Sequence, residues 1–366
     1  MTATTTTTPT AGAPAETAPS RARGPRTFRT LAIQIGVLAI AAAIFVSVGI
    51  DYLYVFNTFL LAVLGAVALN LLMGTVGLVS IGNSAFLLTG AFGTIIGQKL
   101  GLPFPLDIVF AGLLSALIGV VIGLPAIRLR GLELALATLA GFFLISQLAA
   151  EYQLGNGGGT AGFLIPSLYS SFGLDTAQQY WAITLVLVVA VLLLAVTLIS
   201  RQRAGRAWRL LRENEIVARG VGIPVTRYKL IAFAISSFVI GVQGSLTAHF
   251  SGSISFETFT LVMAISYLAM VTIGGFDSIS GAMVGAAVVI GLPILVPDAV
   301  GLFGGGSADA GSTAAIATVI YGALIVFFTV SSRRGLAGGA QALWRKTAGL
   351  RRRPGLTGDE EPPSQP

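Results

Sequence analysis

The chain contains no cysteine and only one histidine. Disulfides and thiolate metal sites are therefore excluded. His249 ends an apolar run with neither a second His nor a carboxylate near it in sequence, so metal binding or acid–base catalysis is not expected of it. Charge is also scarce. Asp, Glu, Lys and Arg make up 10% of the 366 residues, against about 25% in a soluble domain, and the acids sit almost wholly at the ends of apolar runs. A proton- or cation-driven carrier would place Asp, Glu, Arg or His within its spans at a cost of about 3 kcal/mol or more each. The closest approach is Glu133, which lies one turn from Arg128 and Arg130 and reads as a helix-end charge. A phosphate-binding loop is missing too, since the glycine-rich run 155–162 is followed by no GKS or GKT.

What is present is apolar: 54% of residues are hydrophobic and the mean hydropathy is +0.86. Continuous apolar runs of the length that crosses about 30 Å of hydrocarbon as helix occur at 31–50, 53–73, 82–98, 106–125, 132–150, 179–200, 230–249, 259–274, 281–297 and 313–331. Because they do not alternate, strands of a membrane barrel are a poor alternative. The fold class read here is an all-α polytopic integral membrane protein of about ten transmembrane helices. Residues 1–30, rich in Thr, Ala and Pro, read as a disordered cytoplasmic tail and residues 332–366, basic and then acidic, as a solvated cytoplasmic tail, flanking a membrane domain at 31–331. The run after Arg21 is too long for a signal peptide and lacks a clear cleavage site, so an uncleaved first span is favoured.

Charge placement orients the thread. With ten spans and the N-terminus in the cytoplasm, 21 of the 22 Lys and Arg residues fall on the inner side and only Lys99 on the outer. Both termini are then cytoplasmic, and the net charge of +7 reports topology and contact with anionic membrane lipid rather than nucleic acid.

Three segments stand out. The inner segment 201–229 carries a helix from about Gly205 to Arg219, with Ala207, Leu210, Leu211, Val217 and Ala218 on one side and Arg206, Arg209, Glu213 and Arg219 elsewhere, stopped by Gly220, Gly222 and Pro224. It reads either as an interfacial helix anchored by Arg and Trp208 or as a rigid knob that receives force from a soluble motor subunit. Glycines recur at 74, 77, 82, 90, 93 and 97, and again at 274, 275, 281 and 285, where they let helices pack closely or break beside a cavity; the two stretches hint at related halves. The outer loop Glu151–Gln178 reads first as a flexible linkage and second as a docking or entrance surface.

Five segments together resemble the LivM-type permease subunits of ABC importers for branched-chain amino acids, and the related urea and short-chain amide permeases. They are LNLLMGTVGLVSIGNSAF (69–86), GLPAIRLRGLELALATLA (123–140), GGGTAGFLIP (157–166), GRAWRLLRENEIVARGVGIPVTRYKL (205–230) and IGGFDSISGAMVGA (273–286). The resemblance implies a multi-pass subunit of a bacterial inner or plasma membrane importer that is not itself an enzyme. Its implied partners are a second, LivH-type permease, two cytoplasmic ATPases that bind ATP and Mg, and an extracytoplasmic substrate-binding protein; this chain binds no cofactor. Arg206, Arg209, Arg212, Glu213, Asn214, Glu215 and Gly220 resemble the coupling segment that enters the ATPase groove. Gly77, Ser80, Asn83, Ser84, Gly274 and Gly275 are candidates for the translocation pathway. Asn83, Glu133, Phe256 and Asp277 depart from the family's common residues, which bears on the solute more than on the fold. A stand-alone channel or secondary carrier is the alternative.

Overall fold

The computed structural model of the protein describes residues 50–166 and 177–303, apart from 127, 130 and 277, together with positions 319, 322, 323 and 326. The first expected span up to residue 49, nearly all of the last, and both tails lie outside the described residues.

Eight of the ten expected spans coincide with helices: α1 (Ile50–Asn70), α2 (Asn83–Lys99), α3 (Leu106–Ala126), α4 (Leu132–Gly155), α5 (Ala177–Arg201), α8 (Val225–Ser251), α9 (Leu261–Gly274) and α10 (Ile279–Phe303). Between α5 and α8 lie two short helices, α6 (Arg203–Glu213) and α7 (Glu215–Gly220). Six stretches among the described residues are long and apolar enough to cross a membrane: Leu53–Val76, Leu106–Pro125, Leu132–Gly155, Trp181–Arg201, Val225–Ser251 and Phe256–Gly274.

Burial ranks these helices. The apolar window of α1 is 89% buried, whereas those of α3, α4 and α5 are each 33% buried, so α1 is central and the other three present apolar faces outward. Leu113, Leu117 and Val121 on α3, and Ile183, Leu187 and Val191 on α5, form such outward stripes. In water these faces would be untenable; in hydrocarbon they cost nothing.

Close packing inside rests on small residues. A Cβ at Gly90 would overlap the Gly241 carbonyl, and one at Gly244 would overlap the Leu87 carbonyl, so α2 and α8 touch backbone to backbone. Thr94 Oγ1 donates to Ser245 Oγ at 2.6 Å within the same contact.

The α1 helix ends in a π-helical turn, Leu71–Val76, closed by Gly77 at φ +81°. A positive φ there favours glycine. Residues 77–82 then run non-helically to α2. At the opposite end of the bundle a two-residue ladder pairs Phe163 with Ile254 and Leu164 with Ser253, antiparallel.

Candidate functional site

The basic segment 201–229 gathers at one end of the bundle, and its helix is not continuous. Asn214 leaves helical geometry at φ −157° and ψ 108°, and its Oδ1 accepts from the N–H groups of Ile216 and Val217 at 3.0 and 3.2 Å, starting α7 as a new helix. The break divides the apolar face expected from sequence. Ala207, Leu211 and Ala218 are buried, but Val217 is 50% exposed. Trp208, the anchor in the interfacial reading of this segment, is enclosed in the core, with Nε1 donating to the Tyr228 carbonyl at 2.9 Å.

With Trp208 holding one face, the other face is presented outward. Arg206, Arg209, Glu213, Asn214 and Gly220 are exposed together with Ile216 and Val221; Arg209 also donates to the Ser200 carbonyl at 3.3 Å. Arg212 reaches inward, its guanidinium donating to the Gly74 carbonyl in the π-helical turn. Glu215 accepts from Arg219 at 2.6 Å and from the buried Lys229 at 3.1 Å. Arg212, Glu215, Lys229 and Gly77 line a cavity of about 230 Å³ against the start of α4.

The six pathway candidates do not form one cluster. Gly77 is exposed beneath Arg212. Gly74 abuts the Phe276 carbonyl and Asn70 Nδ2 donates to the Ser278 carbonyl at 3.0 Å, so the two glycine stretches meet at the basic end. Gly274, packed on the Gly281 carbonyl, and Gly275, at φ +100°, belong to that contact. Ser80, Asn83 and Ser84 lie deeper, where Ser84 Oγ donates to the Thr260 carbonyl at 2.9 Å and Ile81 N–H donates to Thr138 Oγ1 at 3.1 Å.

Helix lengths give that depth. The 17 residues of α2 span about 26 Å and the 27 of α8 about 40 Å. The two finish together, because Gly97 packs on Asp107 and Asp107 bonds His249 near the end of α8. The start of α2 therefore lies roughly 14 Å short of the basic end. Thr260, 176 residues from Ser84 in sequence, is part of this place and gave no signal beforehand.

Residues 51–329 match the family described as branched-chain amino acid transport system / permease component. The chain belongs to this family. Two curated relatives are similar to this permease: the high-affinity branched-chain amino acid transport system permease protein LivM of Salmonella typhimurium, 32% identical over 257 residues, and the protein of the same name from Escherichia coli, 32% identical over 268 residues. The alignments cover 64% and 66% of this chain but only 60% and 62% of those proteins. No solved structure matches the chain.

At the opposite end the permease departs from two sequence readings. His249 does have a carboxylate partner: Asp107 Oδ2 lies 2.7 Å from its Nε2, with both side chains 1% exposed. The pair is 142 residues apart in sequence, which is why spacing did not reveal it. Nor is the described part of the 151–178 loop a slack linkage. Gln153 donates from Nε2 to the Gly159 carbonyl and accepts at Oε1 from Phe256 N–H, both at 3.0 Å, while Ile165 N–H donates to the Gly252 carbonyl at 2.9 Å. Lys99 Nζ sits 5.2 and 5.0 Å from the ring centroids of Tyr152 and Phe163. Between α1, α8, α9 and α10 there is also a mainly apolar cavity of about 470 Å³, its polar lining including Gln243, Tyr267, Thr58 and Thr247.

Proposed function

We propose that the chain is the permease subunit of an ATP-driven importer that carries branched-chain or other small neutral amino acids across a bacterial inner or plasma membrane. The basic end faces the cytoplasm, in keeping with the gathering of Lys and Arg there, and both termini lie on that side. The chain works beside a second, LivH-type permease, two cytoplasmic ATPases that bind ATP and Mg, and an extracytoplasmic substrate-binding protein.

The observation that carries this reading is the geometry of α6 and α7. One face is locked to the core through Trp208 and Arg212, and the other presents Arg206, Arg209, Glu213, Ile216 and Gly220 outward. A push on the exposed face would pass through Arg212 to the π-helical turn and so to the 77–82 segment that leads into α2. A helix that only rested on lipid would have no use for a charged side chain fixed on a carbonyl of the membrane core. Ser80, Asn83 and Ser84 belong to the solute pathway in this reading.

Deleting 203–220 tests it: binding of the ATPases should be lost, and ATP-dependent leucine uptake with it. Retained uptake would sink the coupling role. The Asp107–His249 pair favours a second reading, a stand-alone proton-coupled carrier, because it is a buried titratable pair. That reading requires uptake by the chain alone, driven by a pH gradient and abolished by Asp107→Asn. A urea or short-chain amide importer is separated from the amino acid importer by the ligand of the binding protein.

A further inference from the structure

Helix α2 begins inside the bundle with its first turn uncapped. Gly82, which precedes it, offers no side-chain acceptor, and no acidic residue stands in the first turn of either α2 or α9. A helix start presents donor N–H groups and about half a positive charge, and burying it without an acceptor is unfavourable. The start of α9, exposed at Thr260, meets that of α2 through the Ser84 Oγ donation to the Thr260 carbonyl. That of α9 is partly satisfied, since Thr260 Oγ1 accepts from Met263 N–H at 3.3 Å. That of α2 has no such cap.

An independent observation points to a ligand. Asn83, the first residue of α2, is 1% exposed, and neither its Nδ2 nor its Oδ1 has a hydrogen-bond partner. Ser80 is also 1% exposed, with its hydroxyl unpartnered. Other buried amides of the core behave differently: Asn70 and Gln243 each commit Nδ2 or Nε2 to a partner, Ser278 and Tyr267 respectively. Asn83 commits neither atom. Buried polar groups are ordinarily satisfied, so donors held unused beside an uncapped helix start, roughly 14 Å from the basic end, form a seat awaiting an acceptor.

We propose that the start of α2, with Asn83 Nδ2 and Ser80 Oγ, seats the carboxylate of an α-amino acid solute during its passage. This rests on the permease reading above and adds the chemical group by which the solute is held. With the Ala85 amide already committed to the Gly82 carbonyl at 3.0 Å, the carboxylate accepts from the Asn83 and Ser84 amides, from Nδ2 and from the Ser80 hydroxyl, as charge-assisted bonds, and leaves Asn83 Oδ1 to accept from the ammonium. Urea or a primary amide brings a single uncharged oxygen and is held more weakly. The seat thus ranks carboxylates above amides.

The test uses the complete transporter in membrane vesicles, with Asn83→Cys introduced into a chain that has no other cysteine. Labelling of this subunit during turnover is followed with two methanethiosulfonates of similar size, one anionic (sulfonatoethyl) and one cationic (trimethylammonioethyl). The expected result is an anionic-to-cationic rate ratio about ten-fold above that of a free thiol in solution, with L-leucine slowing the reaction and leucinol, which lacks the carboxylate, leaving it unchanged. An unshifted ratio, or equal protection by leucinol, overturns the seat while leaving the permease reading standing. Labelling by neither reagent also overturns it, because the position is then not reached from water. If unsubstituted transporter takes up no α-amino acid at all, the permease reading itself has failed. Should Asn83→Cys not assemble, Ser80→Cys carries the same measurements.

Discussion

The two ends of the bundle are held by different chemistry. At the basic end the contacts are polar and tie exposed helices to the core: Arg212 on the Gly74 carbonyl, Glu215 between Arg219 and Lys229, and Asn214 capping α7. At the opposite end the strongest contact is enclosed: the Asp107–His249 pair is packed between Phe104 and Trp181, with ring centroids 5.6 and 6.2 Å from that of His249. The basic end keeps charged and apolar side chains outward on rigidly anchored helices, whereas the opposite end buries one ionisable pair and leaves Lys99, Glu151 and Glu257 exposed.

The largest effect is expected at Trp208, which anchors α6 in the core. Trp208→Ala removes a fully enclosed indole and its bond to the Tyr228 carbonyl, and should cost about 3–5 kcal/mol. Thermal unfolding in detergent should show a large downward shift; a small one would mean that α6 is held chiefly by its charges. Asp107→Asn attacks the opposite end. It leaves a buried imidazole against a neutral amide and should cost about 2 kcal/mol, again read from unfolding in detergent. Little change in ATPase binding is expected, because the damage lies at the far end. Loss of ATPase binding would show that the two ends are less independent than their contacts.

Much of this was legible in the sequence, because length and apolarity dictate spans: 106–125 and 230–249 became α3 and α8 with small changes of boundary. Among the described residues, Lys99 lies at one end beside Asn156 and the 201–229 cluster at the other. What stayed hidden depends on tertiary pairing. Asp107 and His249 meet only because Gly93 and Gly97 bring α3 against α2 while Gly90 brings α8 against it. Thr260 joins Ser84 across 176 residues of sequence, a pairing that the apolar run 259–274 does not announce. The break at Asn214 was missed for a local reason: Arg, Glu and Asn at 212–215 suit a helix interior by pattern, but Asn also caps, and here the cap prevails.

Arg212 sharpens the comparison from the functional side. Arg212→Ala removes a charge-assisted bond on a largely exposed group, with an expected stability cost of about 1 kcal/mol. Its effect on transport should be larger: ATPase binding and ATP hydrolysis retained, leucine uptake lost. Uptake matching the unsubstituted transporter would remove Arg212 from the line of transmission.

The smallest expected effect is at Asn214, and it separates a cap from a contact. Asn214→Ala leaves the Ile216 and Val217 N–H groups without their acceptor and should cost about 1 kcal/mol, whereas Asn214→Gly, which tolerates the extended geometry at a cap, should cost only a few tenths. If Asn214 acts only by starting α7, ATPase affinity should follow the same order, with the Gly variant near normal. If the side chain itself touches the partner, both variants lose affinity alike.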